Sequence, residues 1–124
     1  IEKPIGAYRT DERYIKGVDI KLSSPNKISQ DIENLLFRFG TTMSIEDIAQ
    51  FHIEFEQIHP FADGNGRIGR LLMAFQFIQN NLVPPLILNE NRKEYLESLS
   101  DFVKLASFLE ISQKDSMKLI EVLI

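Results

Sequence analysis

Residues 59–70 read His59-Pro60-Phe61-Ala62-Asp63-Gly64-Asn65-Gly66-Arg67-Ile68-Gly69-Arg70, and the patterns on either side of them make the chain helical. Upstream, Ile48, His52 and Phe55 recur at the spacing of one helical face, and Ser44 with Asp47 three residues later forms the capping box that starts such a helix. Ile58-His59-Pro60 ends it. Downstream, residues 67–81 are apolar nearly all round (Ile68, Leu71, Leu72, Met73, Phe75, Phe77, Ile78), which predicts a central helix buried on several sides. Asn80-Asn81 and Pro84-Pro85 stop it.

Before this pair, Ile28, Ile32, Leu35, Leu36 and Phe39 form an i, i+4, i+7 stripe, closed by Gly40 as the expected C-cap. After it, residues 92–99, 102–109 and 112–123 supply shorter helices. The N-terminal stretch differs. Arg13-Tyr14-Ile15-Lys16-Gly17-Val18-Asp19-Ile20-Lys21-Leu22 alternates in polarity around a glycine, which predicts a small β-hairpin turning between Lys16 and Asp19. A lone hairpin is marginal in water, so it reads as a flap on an all-α body. No repeat, low-complexity tract or linker interrupts residues 1–124, which read as one domain.

Composition narrows the function classes. An apolar fraction of 44% with 26% charged residues is that of a soluble globular protein, and nine Phe and three Tyr supply bulky core filling. The net charge of −4 and the lack of a basic cluster argue against a nucleic-acid or membrane partner. With no cysteine there is no disulfide framework, thiolate zinc site or Cys nucleophile, which agrees with a reducing, cytoplasmic setting. No stretch approaches the roughly 18 apolar residues of a membrane span. The chain begins with Ile1 rather than Met, so a fragment is expected.

The chemistry is concentrated in residues 59–70, which hold an imidazole, a carboxylate, three glycines and two guanidiniums. Gly64-Asn65-Gly66 can turn tightly with backbone N–H groups facing one concavity and lead into a helix N-terminus, where orphan donors and the macrodipole favour an anion. Arg67 and Arg70, three apart, share a face and suit phosphate oxygens further out. Asp63 offers the hard oxygen that Mg²⁺ prefers alongside substrate phosphates. His59 is the neutral-pH base. Each piece has a plainer reading: a turn, a solvated face, a helix end. Their coincidence in one loop favours a Mg-nucleotide. His52, on the apolar face with Ile48 and Phe55, reads as a core histidine, Phe61 as the anchor of the loop, and Asn89 and Arg92 as capping or surface groups.

These residues resemble a family. Residues 59–70 match without a gap the His-x-Phe-x-Asp/Glu-Gly-Asn-Gly-Arg-x-x-Arg signature of the Fic (filamentation induced by cAMP) domain, whose members mostly transfer AMP from ATP to a protein hydroxyl. Gly6-Ala7-Tyr8-Arg9-Thr10 is similar to the start of that family's flap, and His52-x-x-Phe55-x-x-Ile58-His59-Pro60-Phe61 and Pro84-Pro85 also recur there. The family's usual N-terminal helical part has no counterpart. The resemblance implies a Fic-type helical bundle in which His59 is the general base, Asp63 holds Mg²⁺, Gly64, Asn65 and Gly66 form the anion hole, and Arg67 and Arg70 hold outer phosphates of ATP. It implies that Lys16, Gly17, Val18 and Asp19 cover the nucleotide and register a protein target by strand addition. Family members carry an adenine-contacting Asn where this chain has Ser100-Asp101-Phe102-Val103, leaving Tyr95 and Leu99 to line a base pocket.

Alternatives within the fold are a Doc-like phosphotransferase, disfavoured because Doc-type loops carry Lys where this chain has Gly66, and removal of AMP by water. A non-catalytic nucleotide- or partner-binding module is the alternative from another class. Ser29-Gln30-Asp31-Ile32-Glu33-Asn34 matches the family's inhibitory pattern but falls on a scaffold helix, with Glu33 turned away from the apolar stripe. Restraint is therefore expected from an inhibitor protein or a missing segment.

Overall fold

The computed structural model describes residues 6–15 and 20–123. Among them lie five α-helices, α1 (Ile28–Arg38), α2 (Ile45–Ile58), α3 (Asn65–Gln79), α4 (Arg92–Ser98) and α5 (Phe102–Leu123), with short 3-10 turns at Pro25–Lys27 and Asn89–Asn91. No strand occurs among the described residues. The arms of the expected hairpin, residues 13–15 and 20–22, carry no regular secondary structure, and Lys16 to Asp19 lie outside the described residues.

The organising helix is α2, against which α1, α3 and α5 all pack. Its capping box is present: Ser44 Oγ accepts from the Asp47 amide at 3.1 Å, and Asp47 Oδ2 accepts from the Ser44 amide at 3.0 Å. Ile48, Ala49, Phe51, His52, Phe55 and Ile58 are buried along it, so it meets neighbours on several sides. Around it Ile28, Leu35, Met73, Phe77, Leu105 and Leu109 complete the core.

The expectation of a central α3 is corrected. Its Met73 and Phe77 are buried, but Leu71, Phe75 and Ile78 stand 71%, 59% and 60% exposed along an outward stripe. Apolar residues all round a helix show that its faces suit partners; they do not show that this stretch of chain supplies them. Two boundaries differ as well. The first helix ends on Phe39 with extended backbone rather than on a left-handed Gly40, and Leu36 is exposed. The expected breaks after residue 109 do not form, because nothing in Glu110-Ile111-Ser112 stops a helix, and α5 runs on as one element. Ser116 on α5 pins the proline loop by accepting from the Leu86 amide at 2.8 Å.

Candidate active site

His59 closes α2 in the left-handed region, with φ 51° and ψ 60°. A non-glycine residue pays for that conformation unless its surroundings hold it, and Arg9 does the holding. Only 2% exposed, Arg9 donates from Nε to the His59 carbonyl at 2.6 Å, from Nη2 to the carbonyls of Ile58, at 3.1 Å, and Ser23, and from Nη1 to that of Asp11 at 2.8 Å. Its own amide donates to the Pro60 carbonyl at 2.9 Å. The guanidinium thus satisfies the orphan carbonyls at the end of α2 and sits where the helix dipole favours a cation. Arg13 adds a bond from Nη1 to the Ala62 carbonyl at 3.0 Å.

The loop is fastened from its other end by Asn65, which is buried and brackets Phe61: the Phe61 amide donates to Asn65 Oδ1 at 2.8 Å and Asn65 Nδ2 donates to the Phe61 carbonyl at 2.8 Å. The Asn65 side chain is therefore spent on the loop, leaving its backbone for any anion. The Phe61 ring meets Tyr8 at 5.8 Å, as an anchor should. Gly64 caps α3 with φ 81°, a conformation that suits glycine.

Both motif arginines fold back over the glycines: a Cβ on Gly64 would stand 3.3 Å from Arg67 Nη2, and one on Gly66 3.0 Å from Arg70 Nη1. The result is an open depression of about 450 Å³ in which His59, Asp63, the Gly64–Gly66 backbone, Arg67 and Arg70 come together. Arg13 and Arg92 line it too. The sequence placed Arg13 on the flap and Arg92 among capping or surface groups; Arg92 is indeed exposed at the start of α4, but no local pattern signals that either guanidinium lines a depression beside a loop distant in sequence. Burial, then the nearby Arg9 and Arg13 charges, hold the His59 imidazole below its ordinary pKa of 6.5, so it is neutral and able to accept a proton at neutral pH. Asp63 accepts from the Gly64 amide at 2.9 Å and pairs with Arg67 at 3.6 Å. No group of three or more acidic, His or Cys residues among the described residues could by itself hold a metal. One carboxylate beside the amide end of a helix nevertheless fits Mg²⁺, which takes most of its ligands from phosphates and water.

Tyr95 is not at this surface. It is 3% exposed, and its hydroxyl meets His52 Nε2 at 2.6 Å. His52 is the core histidine its position announced: the Gly69 carbonyl, 3.2 Å from Nδ1, can only accept, so Nδ1 carries the proton and Nε2 accepts from Tyr95. Glu56 stands close by, with Oε1 4.0 Å from His52 Nε2. Glu33 is exposed on α1.

Burial pushes His52 down to about 4 and Glu56 up to about 7. Their effects on stability have opposite signs. The His52 contribution is complete above its ordinary 6.5 and is lost as pH falls through about 4; the Glu56 contribution is complete below its ordinary 4.5 and is lost as pH rises through about 7. Across the overlap the two largely cancel. Glu56→Gln should expose the His52 slope, so that thermal melts of the variant lose about 2 kcal/mol between the upper and lower ends of that window while the parent stays nearly flat. Parallel curves for the two proteins would contradict it.

Comparison with known proteins agrees with the helical frame and the loop. A family model described as Fic/DOC family matches residues 1–77, more than half of the chain. A probable protein adenylyltransferase of Aquifex aeolicus (strain VF5) is 30% identical over 97 residues, covering 76% of this chain and 30% of that protein. A protein adenylyltransferase of Caenorhabditis elegans is 31% identical over 81 residues, covering 61% and 16%. The chain thus spans under a third of the length of either relative. Among solved structures, a Fic-1 segment from C. elegans superposes with a TM-score of 0.74 at 24% identity over 91% of this chain and 36% of that one. A Fic domain containing signaling protein from Bacteroides thetaiotaomicron VPI-5482 does so with a TM-score of 0.78 at 21% identity, over 94% and 54%. These two show the fold, and the family model adds the sequence match that includes the loop of His59 and the start of α3: the chain belongs to the Fic/DOC family.

Proposed function

We propose that the chain carries the catalytic part of a protein adenylyltransferase, moving AMP from Mg-ATP to a Ser, Thr or Tyr hydroxyl of a target protein. The observation that carries this reading is a neutral His59 facing the same depression as the amide end of α3, with arginines around both. Relatives named protein adenylyltransferases support the chemical class. In the reaction, the His59 imidazole takes the proton of the target hydroxyl as its oxygen attacks the α-phosphorus. The bond from that phosphorus to the bridging oxygen breaks in line, and pyrophosphate leaves. Asn65 and Gly66 present backbone N–H groups to the α- and β-phosphates, joined by that of Gly64 once Asp63 releases it to turn to the metal, and Arg67 and Arg70 hold the outer ones. Asp63 would hold Mg²⁺, which neutralises phosphate charge when bound. The target would lie along the segment that includes Lys16 to Asp19, and an inhibitor protein or a further segment would restrain the site.

The experiment that tests this uses ATP labelled on the α- or the γ-phosphate with Mg²⁺ and candidate target proteins. Protein-bound α label supports adenylylation. Protein-bound γ label would replace it with a kinase. Arg70→Ala should weaken ATP binding about tenfold and AMP binding less than threefold, since its partners are phosphates that AMP lacks. Calorimetric titration with both nucleotides checks this, and equal losses would move Arg70 away from the outer phosphates.

A further inference from the structure

Arg92 lines the depression, and neither of the plain roles open to an arginine at the start of α4 accounts for it. The groups left unpaired at the amino end of a helix are N–H donors, and a guanidinium has only donors to offer, so it caps nothing there. Nor does it gain from the helix dipole, which disfavours a cation at that end. Among the described residues its side chain forms no ion pair.

Its neighbours in the depression make the placement costlier still. Four guanidiniums, those of Arg13, Arg67, Arg70 and Arg92, line about 450 Å³ in which Asp63 is the one carboxylate among the described residues. Two of the four are engaged, Arg13 with Asp11 at 2.5 Å and the Ala62 carbonyl at 3.0 Å, and Arg67 with Asp63 at 3.6 Å. Arg70 and Arg92 have no carboxylate at ion-pair distance among the described residues. Like charges gathered in one concavity repel one another, and an anion that enters offsets the repulsion. Two guanidiniums on separate helices suit an anion that is multiply charged and long enough to reach both, which describes a diphosphate better than a single phosphate. The frame agrees with this. The described contacts of α4 are with α5 and with the turn before it, none with α3, so an anion held by both arginines would bridge elements that protein contacts leave apart.

We propose that Arg92 is a further phosphate-binding residue, which together with Arg70 takes the diphosphate end of the nucleotide and, after transfer, the pyrophosphate released. The affinity for a diphosphate stands on charge and placement; that the diphosphate belongs to ATP rests on the function proposed above.

Arg92 is exposed, so Arg92→Gln should fold as the parent does. Calorimetry at fixed ionic strength measures the affinities for inorganic pyrophosphate, ATP and AMP, each with Mg²⁺, of the parent, of Arg92→Gln and of Lys93→Gln, which removes the same charge from an exposed neighbour outside the depression. Arg92→Gln should weaken pyrophosphate and ATP about tenfold and AMP by less than about threefold, and Lys93→Gln should weaken none of them by as much as about twofold. Amide exchange over residues 92–98 should slow when pyrophosphate saturates the parent and should not slow in saturated Arg92→Gln. Equal affinities of the parent and Arg92→Gln for pyrophosphate would overturn the inference, as would equal losses in the two variants or a parent that binds no pyrophosphate. Transfer of label from α-labelled ATP, followed in the same proteins, tells the two failures apart. Pyrophosphate binding that needs Arg92 in a protein that transfers no α label removes the adenylyltransferase and leaves Arg92 its role, whereas transfer with affinities indifferent to Arg92 does the reverse.

Discussion

His59→Ala is expected to lower transfer of AMP by about 10²–10⁴-fold while ATP binding stays within a few-fold of the parent. A general base acts on a proton in flight in the transition state and contributes little to the ground-state complex. Its separation from binding should be sharp here because the backbone around His59 is held by Arg9, whose bonds run to main-chain carbonyls and do not need the imidazole. Initial rates with labelled ATP and a target protein, beside calorimetric affinities, check the split. Equal losses of rate and affinity would make His59 a binding group. The rate should also fall in acid, on a limb set below the ordinary imidazole value, since burial and the Arg9 and Arg13 charges oppose protonation.

Arg9→Met should cost more stability than any substitution in the depression itself, about 4 kcal/mol, or a fall in melting temperature of roughly 15 °C. It removes the donors that serve the carbonyls of Asp11, Ser23, Ile58 and His59, and each acceptor left unpaired in a part-buried site carries its own penalty. Met retains the apolar stem, so the loss isolates the guanidinium. Because the left-handed His59 depends on those bonds, transfer measured below the melting transition should fall as well. Thermal melts and rates on the same preparation test both, and a shift of only a degree or two would show that water replaces the fork.

The helix starts and the loop were legible in the sequence because their causes are local. Ser44 and Asp47 cap across three residues, Gly64 turns where a side chain resists turning, and His52 shares a face with Ile48 and Phe55. The Fic signature and the chemistry it implies are read from twelve consecutive residues. The merged α5 and the misplaced cap of α1 mark the limit of the same approach, since in neither case does one residue decide whether a helix stops.

What the tertiary structure alone decided lies between residues far apart. Arg9 meets the His59 carbonyl fifty positions away, Arg13 meets Ala62 across forty-nine, and His52 meets Tyr95 across forty-three. A long polar side chain reads the same in a sequence whether it ends in water, as Arg38 half does, or clamps a loop, as Arg9 does. Tyr95 was assigned to a base pocket and sits in the core, Arg92 is the exposed group at a helix start that the sequence suggested but also lines the depression, and α3 keeps an apolar face outward. Composition and periodicity state what each face could bury against. Which partner reaches it is decided by packing, where the burial of a charge or hydroxyl is tolerated only if another element supplies its hydrogen bonds.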